Sequence, residues 1–146
     1  MSPVAAAASA GPPLRLVARP KAAPLGAIFA GIGLVAGAAV WLLRLDRIPL
    51  TLCVFKGLTG LPCPTCGSTR ALGRLFALDL PGALAMNPFT TLVAVILAGW
   101  GAADLALLTR GQSLGVEASP RIAFALRVLA LVLFLANWVY LVAVGR

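Results

Sequence analysis

The run "LGAIFAGIGLVAGAAVWLL", residues 25–43, carries no charged side chain in 19 positions. As a helix it is about 28 Å long, close to the thickness of a bilayer's hydrocarbon core. Pro24 suits the first helical position, where its missing N–H would be unpaired in any case. Gly33 and Gly37 put two small residues on one face, where another helix can approach closely. Glycine and alanine filling an apolar helix without such a partner is the plainer reading of the same pair. A cleaved signal peptide competes for this region, because basic residues precede the run and "AGAA" lies at 36–39. The apolar run continues through Val40, Trp41, Leu42 and Leu43, longer than a usual signal core, which favours a spanning helix.

Composition supports a membrane chain. Of 146 residues, 61% are hydrophobic and 11% charged, against about half and about a quarter in soluble domains. One small soluble domain has too little interior to hide that much apolar surface, and this length suits a single domain. The net charge is +8, but the basic residues stand singly between apolar runs. That pattern anchors and orients helices in a membrane and argues against nucleic-acid binding, which needs a basic face with accessible aromatics. The chain has no histidine, so the commonest general base and neutral metal ligand are both missing.

Two further helix starts follow the same grammar. Asn87-Pro88 and Ser119-Pro120 each place a capping side chain before a proline, opening apolar runs over 88–109 and 120–144. Residues 1–24, with Arg15, Arg19 and Lys21, read as a disordered basic tail, and residues 25–146 as one membrane domain. The fold class expected is an all-α integral membrane protein with three transmembrane helices and a short interfacial helix after a cysteine-containing loop. Residues 110–119 read as a short polar loop. Asp104 and Arg127 each lie six residues inside the ends of their runs, at Arg110 and Arg121, about 9 Å deep in antiparallel helices. Isolated charges in lipid usually pair, so an Asp104–Arg127 ion pair is expected. Asn137 is expected to hydrogen-bond a neighbouring helix. Basic residues divide five against six between the two sides, which leaves orientation undecided. If Arg70 and Arg74 belong to a folded site, the balance tips towards a cytoplasmic N-terminus and an outward-facing cysteine loop.

Residues 44–87 hold all three cysteines, Cys53, Cys63 and Cys66. Within "CPTCG", residues 63–67, Pro64 stiffens the backbone between two thiols and Gly67 allows a sharp turn. Residues 68–78 read as an amphipathic helix, with Ala71, Leu72, Leu75 and Phe76 on one face and Arg70 and Arg74 on the other. A thiolate at that helix's N-terminus would be stabilised by the dipole and by Arg70. Three readings stay open. In the first, Cys63 and Cys66 cycle between dithiol and disulfide, with Arg70 as cation, Thr69 as nearby hydroxyl, Cys53 as shuttle and a quinone as electron partner. In the second, Cys53, Cys63 and Cys66 bind a metal such as zinc, with Asp46, Asp79 or a partner as fourth ligand. In the third, the loop is a rigid docking knot and the cysteines are small buried residues or a static disulfide.

The stretch "CVFKGLTGLPCPTCGSTRAL", with "NP" downstream, resembles domain-of-unknown-function family 2752. The resemblance rests on Cys53, Gly60, Cys63, Pro64, Cys66, Gly67, Thr69, Arg70, Ala71, Asn87 and Pro88, and covers roughly residues 45–100. It implies a small multi-pass protein of a bacterial cytoplasmic membrane with this motif as its defining site, and it supplies no activity. The leading expectation is therefore a membrane protein whose cysteine loop is a binding or interaction site. The bilayer is its surroundings, and a membrane protein partner or a second copy remains open. The alternatives are a thiol-disulfide protein and a thiolate metal binder.

Overall fold

The computed structural model describes residues 14–20, 23–45 and 53–145. In chain order the elements are β1 Leu14–Pro20, α1 Leu25–Leu42, α2 Val54–Thr59, α3 Ser68–Phe76, α4 Leu80–Met86, α5 Pro88–Leu108, β2 Gln112–Ala118 and α6 Pro120–Ala143. Helices α1, α5 and α6 are long and apolar enough to cross a membrane, and they match the expected spans to within a residue at each end. Their outer surfaces are apolar and open: Leu34 is 63% exposed, Val35 70% and Leu131 57%. Such surface is stable against lipid and a liability in water, so the chain is a membrane protein.

The capping signals act as read. Asn87 accepts a hydrogen bond from the Thr90 N–H at 3.0 Å, and Ser119 accepts one from Ile122 at 3.5 Å. Helix α1 differs: Pro24 sits at its N-cap and supplies no side-chain acceptor. The missing cap comes from α5, where Asp104 Oδ2 accepts from the Ala27 N–H at 3.2 Å. A carboxyl at that point meets both an orphan donor and the positive end of the helix dipole.

That geometry corrects the expected Asp104–Arg127 pair. Asp104 is fully buried, and its other oxygen accepts from the Leu114 N–H at 2.6 Å. Arg127 is exposed on α6. Two backbone donors satisfy the carboxyl, and a guanidinium on a lipid-facing helix surface can extend towards the interface instead.

The tail and the polar loop are corrected together. Leu14–Pro20 is a strand, paired antiparallel with Gln112–Ala118 from Leu14↔Ala118 to Pro20↔Gln112. The rest of the expected tail, 1–13 and 21–22, lies outside the described residues. An isolated two-stranded ribbon is marginal, and this one is pinned from behind. Leu114 donates its N–H to Asp104, and its carbonyl accepts from Trp100 Nε1 at 3.3 Å.

Helices α1 and α5 pack closely because small residues face each other. A Cβ at Gly26 would lie 2.5 Å from Trp100 Cδ1, and one at Gly101 would press on Ala30. Of the expected Gly33/Gly37 face, Gly37 is buried against the ring of Phe76 in α3, while Gly33 faces open space. The amphipathic helix forms as expected: Ala71 and Gly73 are buried and Arg70 and Arg74 exposed. Its C-terminus turns through Leu78, which has a φ of 60°. Asp79 follows; it accepts from the Gly82 N–H, capping α4, and pairs with Arg74 at 3.0 Å.

Replacing Asp104 with alanine strands two half-buried backbone donors, a cost of about 3 kcal/mol. Arg127→Ala is expected to stay within about 0.5 kcal/mol of the parent. Thermal unfolding in detergent checks both, and equal losses in the two variants would restore the ion pair.

Candidate functional site

The ribbon and the cysteine loop lie at opposite ends of the spanning helices, because α1 runs from one to the other and α5 returns. At the loop end the chain makes two left-handed glycine turns. Gly60 (φ 73°) closes α2 and Gly67 (φ 80°) opens α3. A Cβ at Gly67 would also sit 3.1 Å from the Met86 carbonyl oxygen, so glycine is required there for conformation and for space.

Between these turns the backbone is held by side chains from α6 and from the cap between α4 and α5. Trp138 Nε1 donates to the Pro62 carbonyl at 2.8 Å. Asn137 Nδ2 donates to the Pro64 carbonyl at 3.0 Å, while its Oδ1 accepts from the Phe89 N–H at 3.1 Å. Asn87 Nδ2 donates to the Cys66 carbonyl at 3.0 Å, and the same side chain caps α5 through Oδ1. Both asparagines are buried, at 0% and 4% exposure. Tyr140 adds a bond from its hydroxyl to the Ala85 carbonyl at 2.8 Å. Asn87 was legible as a cap, and Asn137 as a polar residue inside an apolar run. That both reach the same turn depends on tertiary structure.

The turn presents three thiols. Cys53 caps α2, its Sγ accepting from the Lys56 N–H at 3.4 Å. Cys66 Sγ accepts from the Cys63 N–H at 3.2 Å. Cys63 and Cys66 have their sulfurs 3.3 Å apart, and all three Sγ atoms lie within 4.8 Å of one another. Cys53, ten residues upstream, thus comes back to the Cys63/Cys66 pair, and each thiol is half-buried.

Other expected site residues stand elsewhere. Arg70 and Thr69 are exposed on α3, with no hydrogen bond or ion pair to a thiol among the described residues. The hydroxyl beside the sulfurs is that of Thr65, whose Oγ1 is 3.4 Å from Cys63 Sγ. Asp79 is engaged by Arg74 and Gly82 and is not grouped with the thiols. Asp46 lies outside the described residues.

The thiols are not equivalent. The Lys56 N–H, helped by the Cys63 thiol, lowers Cys53 from 9.0 to about 7. Burial, reinforced by the Cys63 and Cys53 thiols, raises Cys66 to about 12. The expectation that the α3 N-terminus and Arg70 make Cys66 the activated thiolate is therefore corrected: burial disfavours its charged form, and Arg70 is exposed rather than paired with it. In reduced, metal-free protein, maleimide is expected to modify Cys53 first, its rate rising as pH passes upward through about 7. Cys66 should stay slow to well above pH 10. Peptide mapping by mass spectrometry reads this, and Cys66 reacting first would contradict it.

No curated protein and no solved structure matches the chain. Residues 53–101 match the model of the family described as Protein of unknown function (DUF2752). The matched stretch runs from the first thiol into α5 and includes the clamped turn, in line with the resemblance expected for this stretch.

Proposed function

We propose that the protein is a membrane-embedded metal-thiolate protein in which Cys53, Cys63 and Cys66 hold one soft or borderline-soft metal ion, zinc(II) or copper(I) in chemical class. The observation that carries this reading is the convergence of three sulfurs within 4.8 Å of one another. A dithiol redox centre needs only two sulfurs, whereas a metal site uses all three. Four-coordinate zinc with bonds of about 2.3 Å sets its sulfurs about 3.8 Å apart, a spacing this cluster reaches by small side-chain rotations. An all-sulfur donor set without histidine selects soft metals. The N–H donors on Cys53 and Cys66 are what oriented thiolate ligands use. Three protein ligands leave one coordination position for an outside donor, which suits metal capture and hand-over or a bound substrate better than a closed structural site.

Purified protein titrated with cadmium(II) is expected to give sulfur-to-metal charge-transfer absorption saturating at one ion per chain. Cys53→Ser and Cys66→Ser should each weaken binding by at least about 100-fold. Affinity should rise with pH, because Cys66, raised to about 12, must lose its proton to the metal. Failure to bind cadmium would overturn the reading.

A second reading has its own support in the 3.3 Å separation of Cys63 and Cys66. Oxidation would join these sulfurs and pass two electrons and two protons to an acceptor of the quinone class, giving a quinol. In that case Cys53→Ser leaves the Cys63–Cys66 disulfide intact and reducible by a quinol, whereas metal binding is lost on the same substitution.

A further inference from the structure

A cleft of about 620 Å³ lies between α1, α3, α5 and α6. Its size falls within the range of ligand pockets, about 300–1,000 Å³. Along α5 its lining runs from Phe89 to Leu105, about 24 Å at helical rise, so the space is long, narrow and parallel to the spanning helices. The lining is apolar, with small residues such as Ala30, Ala94 and Ala98 along its length, and no charged side chain contributes to it. Two hydroxyls stand at the loop end, those of Thr65 and Thr90. Thr65 sits beside Cys63, and Thr90 Oγ1 is 2.7 Å from Ser68 Oγ. Each hydroxyl has one donor and two acceptor positions, so these contacts leave capacity for a ligand.

We propose that this cleft binds a single long hydrocarbon chain of a membrane amphiphile, with an uncharged carbonyl at its polar end held by Thr65 and Thr90 beside the thiols. Volume decides the occupant. A helix about 10 Å across and 24 Å long takes up about 1,900 Å³, more than the cleft can hold. One extended chain about 5 Å wide takes up about 450 Å³ over the same length. Polarity decides the end group: hydroxyls at one end and no charge along the walls suit a neutral acceptor, because an ionised head would lie unpaired in a medium of low dielectric. The carbonyl can come from the ester of a glycerolipid or from the ring of a quinone. The cleft adjoins the thiols whatever they hold, so this inference stands apart from the metal reading.

The test is native mass spectrometry of full-length protein released from micelles, loaded in separate arms with palmitoyl-oleoyl phosphatidylethanolamine and with decyl-benzoquinone. The parent protein, and Ala130→Phe on the exposed surface outside the cleft, should retain one molecule per chain in at least one arm. Ala94→Phe/Ala98→Phe, which fills the cleft, should reduce retention at least tenfold while leaving maleimide reactivity at Cys53 unchanged as a check on folding. Thr65→Val should weaken it about fivefold, the effect of one hydrogen bond. The arm that retains a molecule identifies the source of the carbonyl. Retention equal in parent and filled variant would mean lipid bound non-specifically around the helices and would overturn the proposal. So would no retention in either arm, or a dimer abolished by the filled variant, since a second copy would then occupy the space.

Discussion

The cysteine turn depends on two buried asparagines. Asn137 and Asn87 satisfy the carbonyls of Pro64 and Cys66, and each uses its oxygen on a backbone N–H of the first turn of α5. A turn rich in proline and glycine cannot bond its own carbonyls in a helix or sheet, and unpaired polar groups at membrane depth are costly. With these two side chains in place, the loop, the start of α5 and the C-terminal part of α6 form one unit, and the sulfurs converge on a backbone that is already fixed.

This is an inverted economy compared with a soluble domain. Among the described residues the buried apolar side chains are Ala71, Ala83 and Leu141, while Asn87, Thr91, Asp104, Ser113 and Asn137 are buried polar groups. Lipid gives apolar helices little reason to leave it for one another, so hydrogen bonds and close small-residue packing hold the interior. The two ends use the same device. At one end a carboxyl from α5 caps α1 and pins the ribbon, and at the other two amides close the thiol turn. Helix α6 is held largely by its end, through Asn137, Trp138 and Tyr140, with Phe89 and Phe134 in edge-to-face contact at 5.5 Å. That leaves a cleft between it and the α1/α5 pair.

What the sequence disclosed was local. Apolar runs and Asn-Pro or Ser-Pro starts located the spanning helices to a residue, because length and capping are written in contiguous residues. The Cys-Pro-Thr-Cys-Gly turn and the return of Cys53 were legible for the same reason. What stayed hidden was non-local. The pairing of Leu14–Pro20 with Gln112–Ala118 joins segments almost a hundred residues apart, and neither strand has a strong period of its own. Asp104 was matched to the nearest opposite charge at its depth; its true partners are backbone N–H groups, which no side-chain pattern reveals. Thr65 rather than Thr69 meets the sulfurs because the turn, not the helix after it, faces them.

The most direct test of the clamp is the alkylation rate of Cys66 in Asn137→Leu, measured at pH 7.5 with helical content followed by circular dichroism. Leucine keeps the volume and removes both hydrogen bonds, so the helices should persist while the turn loosens. Cys66 should then gain water and lose the burial that suppresses its thiolate, reacting at least tenfold faster than in the parent. If Cys66 stays as slow as in the parent protein, the asparagine does not hold the turn, and the account of how this chain positions its thiols is wrong.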